Sequence, residues 1–154
     1  MAIKEGDKAP AFNLPTDNGK KLKLSDLKGK KVVLYFYPRD DTPGCTKEAI
    51  GFTESLAKFK RAGAVVIGAS KDTVEKHAKF RDKYDLKIPL ISDEDGSLCK
   101  DYGVWKKKMN YGKSYMGIER STFLIDEKGK IAKAWQKVKV AGHVDEVLAA
   151  VKEL

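Results

Sequence analysis

The stretch Val32-Val33-Leu34-Tyr35-Phe36-Tyr37-Pro38-Arg39-Asp40-Asp41-Thr42-Pro43-Gly44-Cys45-Thr46-Lys47-Glu48 decides the fold. Its first six residues form a continuous β-branched and aromatic run, the pattern of a central strand covered on both faces. Pro38 ends the strand and a short polar turn follows. Ala49, Phe52, Leu56 and Phe59 then recur at spacings of three and four, which marks one buried helical face. Cys45 therefore falls in the first turn of a helix, beyond the carboxyl end of a buried strand, where open α/β sheets place their sites.

Working outward, residues 1–31 are turn-rich, and Asn18-Gly19 predicts a small β-hairpin beside the main sheet. Gly63 stops the helix after Cys45, and Ala64 to Ala69 reads as a second buried strand. A helix follows with Asp72 as N-cap, Glu75 three residues later, and Val74, Ala78, Arg81 and Tyr84 along one side. Pro89 to Ser92 reads as a short strand and Ser97 to Tyr102 as a short helix. Lys106 to Glu119 reads as a long irregular segment broken by Gly112 and Gly117. Ser121 to Ile125 and Lys130 to Trp135 form a hairpin, and Val144, Val147, Leu148 and Val151 mark a final amphipathic helix. This order predicts an α/β fold of thioredoxin-like architecture: a central mixed sheet flanked by helices, preceded by an N-terminal hairpin.

The 154 residues fit a single domain, 1–154, able to bury roughly 70% of the unfolded chain's surface without a disulfide or metal staple. Two cysteines make no disulfide framework and match no zinc spacing. The start has no apolar leader and no stretch approaches 18 apolar residues, so a reducing cytoplasm and no membrane are expected. The net charge of +9 is spread along the chain, with Lys106-Lys107-Lys108 the longest run; a solvated cationic surface is expected rather than nucleic-acid binding. His77 and His143 lack ligand spacing and read as solvated helix positions rather than metal ligands.

Cys45 carries the chemistry. Unpaired N–H groups and the positive end of the helix dipole favour its thiolate, although a structural cysteine after a Pro-Gly turn shares that position. In Thr42-x-x-Cys45 a hydroxyl stands where a dithiol redox protein would carry its first sulfur. The hydroxyl can donate to the thiolate or to a bound peroxide, but it cannot close a disulfide.

Pro38-x-x-x-Thr42-x-x-Cys45 is similar to the peroxiredoxin active-site motif. The run Asp41-Thr42-Pro43-Gly44-Cys45-Thr46-x-Glu48-Ala49 resembles the peroxiredoxin Q, or bacterioferritin comigratory protein, subfamily. The likeness continues through Ser92 to Gly96, Tyr102 to Trp105 and Gly117 to Asp126. The resemblance implies a thiol peroxidase that reduces hydrogen peroxide or organic hydroperoxides. In it Cys45 is the peroxidatic nucleophile, Thr42 its hydrogen-bonding partner, Pro38 a shield from bulk water, and Arg120 the arginine that faces the sulfur and orients the peroxide. It also implies a monomer.

Many members of the subfamily carry a resolving cysteine five positions after the peroxidatic one, where this chain has Ile50, or in the following long helix, where it has none. Only Cys99 remains. Two cycles are open: an external thiol (thioredoxin, glutaredoxin or glutathione) recycles Cys45, or Cys99 resolves it. A thioredoxin-like thiol–disulfide reductase is the rival activity, opposed by Thr42. Met109, Tyr111, Tyr115 and Met116 could form an apolar rim near the site or pack onto the core; Trp105 reads as core.

Overall fold

The computed structural model describes residues 3–154. The hairpin pairs β1 (Asn13–Pro15) with β2 (Lys21–Lys23), and Gly19 supplies a positive φ in the connecting loop. The main sheet holds β3 (Lys31–Phe36), β4 (Ala64–Ser70), β5 (Leu90–Ser92), β8 (Ser121–Ile125) and β9 (Ile131–Trp135) in the order β5-β4-β3-β8-β9. β3 runs parallel to β4, and β4 to β5, whereas β8 and β9 are antiparallel, so the mixed sheet read from the sequence is present.

Side chains of a strand alternate between faces, and β3 divides the core accordingly. Val33 and Tyr35, followed by Tyr37 just past the strand, point into one layer. There they meet Cys45, Ala49 and Phe52 of α1 (Pro43–Glu54), Phe59 of α2 (Leu56–Arg61), Phe80 of α3 (Val74–Tyr84), and Val147 and Val151 of α5 (His143–Glu153). Val32, Leu34 and Phe36 point into the other, with Phe12, Tyr102, Phe123, and Leu98 and Cys99 of α4 (Ser97–Asp101). The two cysteines therefore lie on opposite faces of the sheet. Among the described residues no helix is long and apolar enough to cross a membrane.

Four expectations are corrected. Lys106 to Glu119 is a hairpin, β6 (Trp105–Asn110) with β7 (Lys113–Ile118), turning at Tyr111 and Gly112. Both turn residues have positive φ, 51° and 77°, as a two-residue hairpin turn requires. Its strands are largely exposed, and the three successive lysines and Gly117 break any alternation that would mark them. Met109, Tyr111, Tyr115 and Met116 are all exposed on this hairpin and do not pack onto the core, while Trp105 is half-buried against it.

The second correction is at Ser55, which interrupts the helix after Cys45 and divides it into α1 and α2, leaving Leu56 half-buried. The third concerns α3. It is capped by Thr73, whose hydroxyl accepts from Lys76 N–H at 3.2 Å, and it buries His77 and Phe80 rather than the Val74–Tyr84 line. Asp72 is drawn away by Ser70 and Asp40. Fourth, both histidines are buried rather than solvated, because each finds hydrogen-bond partners inside.

Candidate active site

β3 delivers the chain to Tyr37, the loop 38–42 crosses the sheet end, and α1 begins at Pro43 with Thr42 as N-cap. Proline suits the first helical position because its missing N–H would have no partner there. The first bond closing the helix, from Thr46 N–H to the Thr42 carbonyl, is 2.8 Å long. The N–H groups of Gly44 and Cys45 precede it and gain no partner within the helix, leaving two donors at its positive end.

Cys45 is 1% exposed, and Arg120 reaches it from the segment before β8, donating from Nη2 to Sγ at 3.3 Å. The other guanidinium nitrogen, Nη1, donates to Glu48 Oε1 at 2.6 Å. One planar cation thus bridges the sulfur and a carboxyl one helical turn along α1. Gly44 leaves room for the approach, since a Cβ there would press on Nη2 at 3.1 Å. Glu48 is fully buried, and burial raises its carboxyl to about 7 against the opposing pull of Arg120. Its Oε2 and the Tyr35 hydroxyl are buried without a hydrogen-bond partner. Tyr35 lies across Gly68, where a Cβ would come within 2.9 Å of its ring.

Of the four residues expected at the site, Cys45 and Arg120 are brought together. Thr42 caps the helix that carries Cys45, but its hydroxyl donates to the Arg39 carbonyl at 2.9 Å. Pro38 lies exposed just past β3. Glu48 was part of the quoted motif yet received no role; its signal was a charged residue three positions after Cys45, on the buried side of the helix. Lys108 of β6 was also missed. Its stem crosses Gly117 and its ammonium is held below the usual lysine value, first by burial and then by Arg120. A run of three lysines conceals which one faces inward.

Cys99, by contrast, is fully buried on the inner face of α4, and its backbone N–H donates to Asp93 Oδ2 at 2.9 Å. Burial, and then the Asp93 carboxylate, push its thiol far above the usual cysteine value.

The sequence pattern of the AhpC/TSA family matches residues 5–134. The chain is 58% identical over 148 residues to a putative peroxiredoxin bcp of Coxiella burnetii, covering 96% of this chain and 98% of that one. It is 52% identical over 154 residues to the peroxiredoxin Bcp of Bacillus subtilis, covering 100% and 98%. A cysteine-to-serine mutant of Xylella fastidiosa PrxQ superimposes with a TM-score of 0.95 at 39% identity, over 99% of this chain and 98% of that one. The Xanthomonas campestris bacterioferritin comigratory protein was solved as trapped intermediate and ligand complexes bearing on its alkyl peroxide reduction activity. It superimposes with a TM-score of 0.88 at 46% identity, over 92% and 90%.

Proposed function

The chain belongs to the AhpC/TSA family, as a peroxiredoxin and thiol peroxidase, and from that premise we propose that Cys45 is the sulfur that reduces the peroxide. The observation that carries this reading is the 3.3 Å approach of Arg120 to Cys45 Sγ at the start of α1. The guanidinium and the first-turn N–H groups hold the thiolate. The same donors meet the charge that develops on the peroxide as the O–O bond breaks. The thiolate attacks the terminal oxygen, and the remaining oxygen leaves as water or alcohol after taking up a proton. The sulfur becomes sulfenic acid. Thr42 sets the start of the helix and Pro38 covers the strand end that precedes it. No metal or organic group is needed for these steps. Hydrogen peroxide and alkyl hydroperoxides are the proposed substrates.

The cycle is of the one-cysteine kind. One external thiol condenses with the sulfenic acid, releasing water and forming a mixed disulfide; a second thiol displaces the first and restores Cys45. Thioredoxin, glutaredoxin or glutathione supplies the thiols. Three features support this: Ile50 occupies one resolving position, α3 has no sulfur, and Cys99 lies across the sheet. A disulfide needs Cα atoms within about 7 Å, which two faces of one sheet do not offer. The protein acts as a monomeric single domain in the cytoplasm, where both free thiols persist.

Peroxide consumption by Cys45→Ser tests the first half: turnover is abolished, and survival of wild-type turnover would refute the assignment. Non-reducing mass analysis after one equivalent of peroxide tests the second. A Cys45 sulfenic acid without an internal disulfide is expected, and a Cys45–Cys99 disulfide overturns the one-cysteine cycle.

A further inference from the structure

Behind the loop that carries the active site lies a buried network that the chemistry at Cys45 does not use. His77 on α3 is fully buried. Its Nε2 lies 2.9 Å from the Ile91 carbonyl oxygen, and its Nδ1 lies 2.6 Å from Asp40 Oδ2. A carbonyl oxygen only accepts, so Nε2 carries a proton. A ring nitrogen and a carboxylate oxygen at 2.6 Å need a second proton between them, whichever of the two holds it. The Tyr37 hydroxyl does not supply it: that group donates to Asp40 Oδ1 at 2.6 Å, and burial, then Asp40, hold its phenol well above the ordinary tyrosine value. The pair thus holds one proton more than a carboxylate and a neutral imidazole would.

This pair fastens the active-site loop. Asp40 stands five residues before Cys45, and its N–H donates to Asp72 Oδ2 at 2.9 Å. Asp41 follows in the left-handed region, φ 58°, and its carboxylate accepts from Tyr84 at 2.5 Å and Lys83 at 2.8 Å. These ties run from the loop to α3 or to the turn just before it. Yet Cys45 is 1% exposed. A peroxide of two oxygens is small, whereas a thiol carried on a peptide is bulky, so the loop and the first turn of α1 must move before an external thiol can attack.

We propose that Asp40 and His77 are positioning residues whose shared proton latches the 38–42 loop closed for peroxide attack, and whose separation opens Cys45 to the reducing thiol. This rests on the one-cysteine cycle above. The other titratable groups near the pair are Tyr35 of β3, Tyr37 just past it, and Asp72 from the turn after β4; Arg39, Asp41, Lys76, Lys79 and Lys83 rim the cleft outside them. Asp40→Asn preserves the tie in neutral form, since its amide N–H donates to Nδ1 of His77 while its carbonyl accepts from Tyr37. Asp40→Ala removes it.

The test uses the full chain with Cys99→Ala, so that only Cys45 reports. Alkylation of Cys45 by a bulky maleimide is divided by alkylation by iodoacetamide, which cancels the titration of the sulfur itself. In His77→Leu this ratio rises about ten- to a hundredfold, the loss of one buried charge-assisted hydrogen bond, while oxidation by hydrogen peroxide slows. Asp40→Ala, which cuts the tie from the loop side, raises the ratio likewise, and Asp40→Asn, which keeps it, leaves the ratio within about threefold of the parent. An unchanged ratio in His77→Leu or Asp40→Ala, or a ratio in Asp40→Asn as high as in Asp40→Ala, overturns the latch. If His77→Leu does not fold, the contrast between Asp40→Ala and Asp40→Asn decides alone. Neither alkylation needs a reductant, so failure here is distinct from failure of the one-cysteine cycle, which shows as a Cys45–Cys99 disulfide.

Discussion

Cys45 and Cys99 are equally hidden, at 1% and 0% exposure, yet they sit in opposite electrostatic settings on opposite faces of one sheet. Cys45 lies at the start of a twelve-residue helix with a guanidinium 3.3 Å from its sulfur. Cys99 lies in a five-residue helix beside the buried Asp93 carboxylate, which already accepts from the Leu98 and Cys99 N–H groups. Burial and then the Asp93 carboxylate disfavour a thiolate at Cys99. On the proposed function, the sign of the nearest charge is what separates the attacking sulfur from the one kept in the core.

Arg120→Met removes the charge on which that contrast depends. Peroxide reduction should fall about 10²–10³-fold in rapid-mixing assays, the loss typical of one pre-aimed donor. A rate within threefold of wild type would break the comparison.

Glu48→Gln sharpens it. The Glu48 carboxyl is raised from its ordinary 4.5 to about 7 by burial. The folded state therefore holds this proton more tightly than the unfolded chain. The associated stability is fully present below pH 4.5 and is lost as the pH rises through about 7, amounting to ~3 kcal/mol. Urea unfolding across that range should show the decline in wild type and a flatter profile in Glu48→Gln, whose amide oxygen still accepts from Arg120.

Cys99→Ala has the smallest effect. Peroxide reduction should stay within about twofold, while the lost packing costs roughly 1 kcal/mol in the same unfolding assay. A large loss of activity would mean that the inert face takes part in the cycle.

Much of this was legible in the chain. The β3 run, the strand Ser121–Ile125 and the Thr42-x-x-Cys45 spacing are local patterns, and each lies where its residues predicted. The β6–β7 hairpin was not legible, because its strands are largely exposed with three lysines in a row, and its turn places Tyr111 rather than Asn or Gly at the first positive-φ position. The buried face of α3 lies one residue out of phase with its apolar pattern: His77 counts as polar in a periodicity, but here it is satisfied by Asp40 and Ile91 and joins the core.

The sequence by itself determined the strand–turn–helix that carries Cys45, and the hydroxyl that replaces a second sulfur there. Those depend on backbone preference and short spacing, which neighbouring residues express without outside help. Only the tertiary structure decided that Arg120, 75 positions away, bridges Cys45 to Glu48. It also decided that Cys99 lies across the sheet, and that His77 holds the loop through Asp40. Charge and hydrogen bonding act through space over a few ångströms, and distance along the chain does not record which groups the fold brings that close.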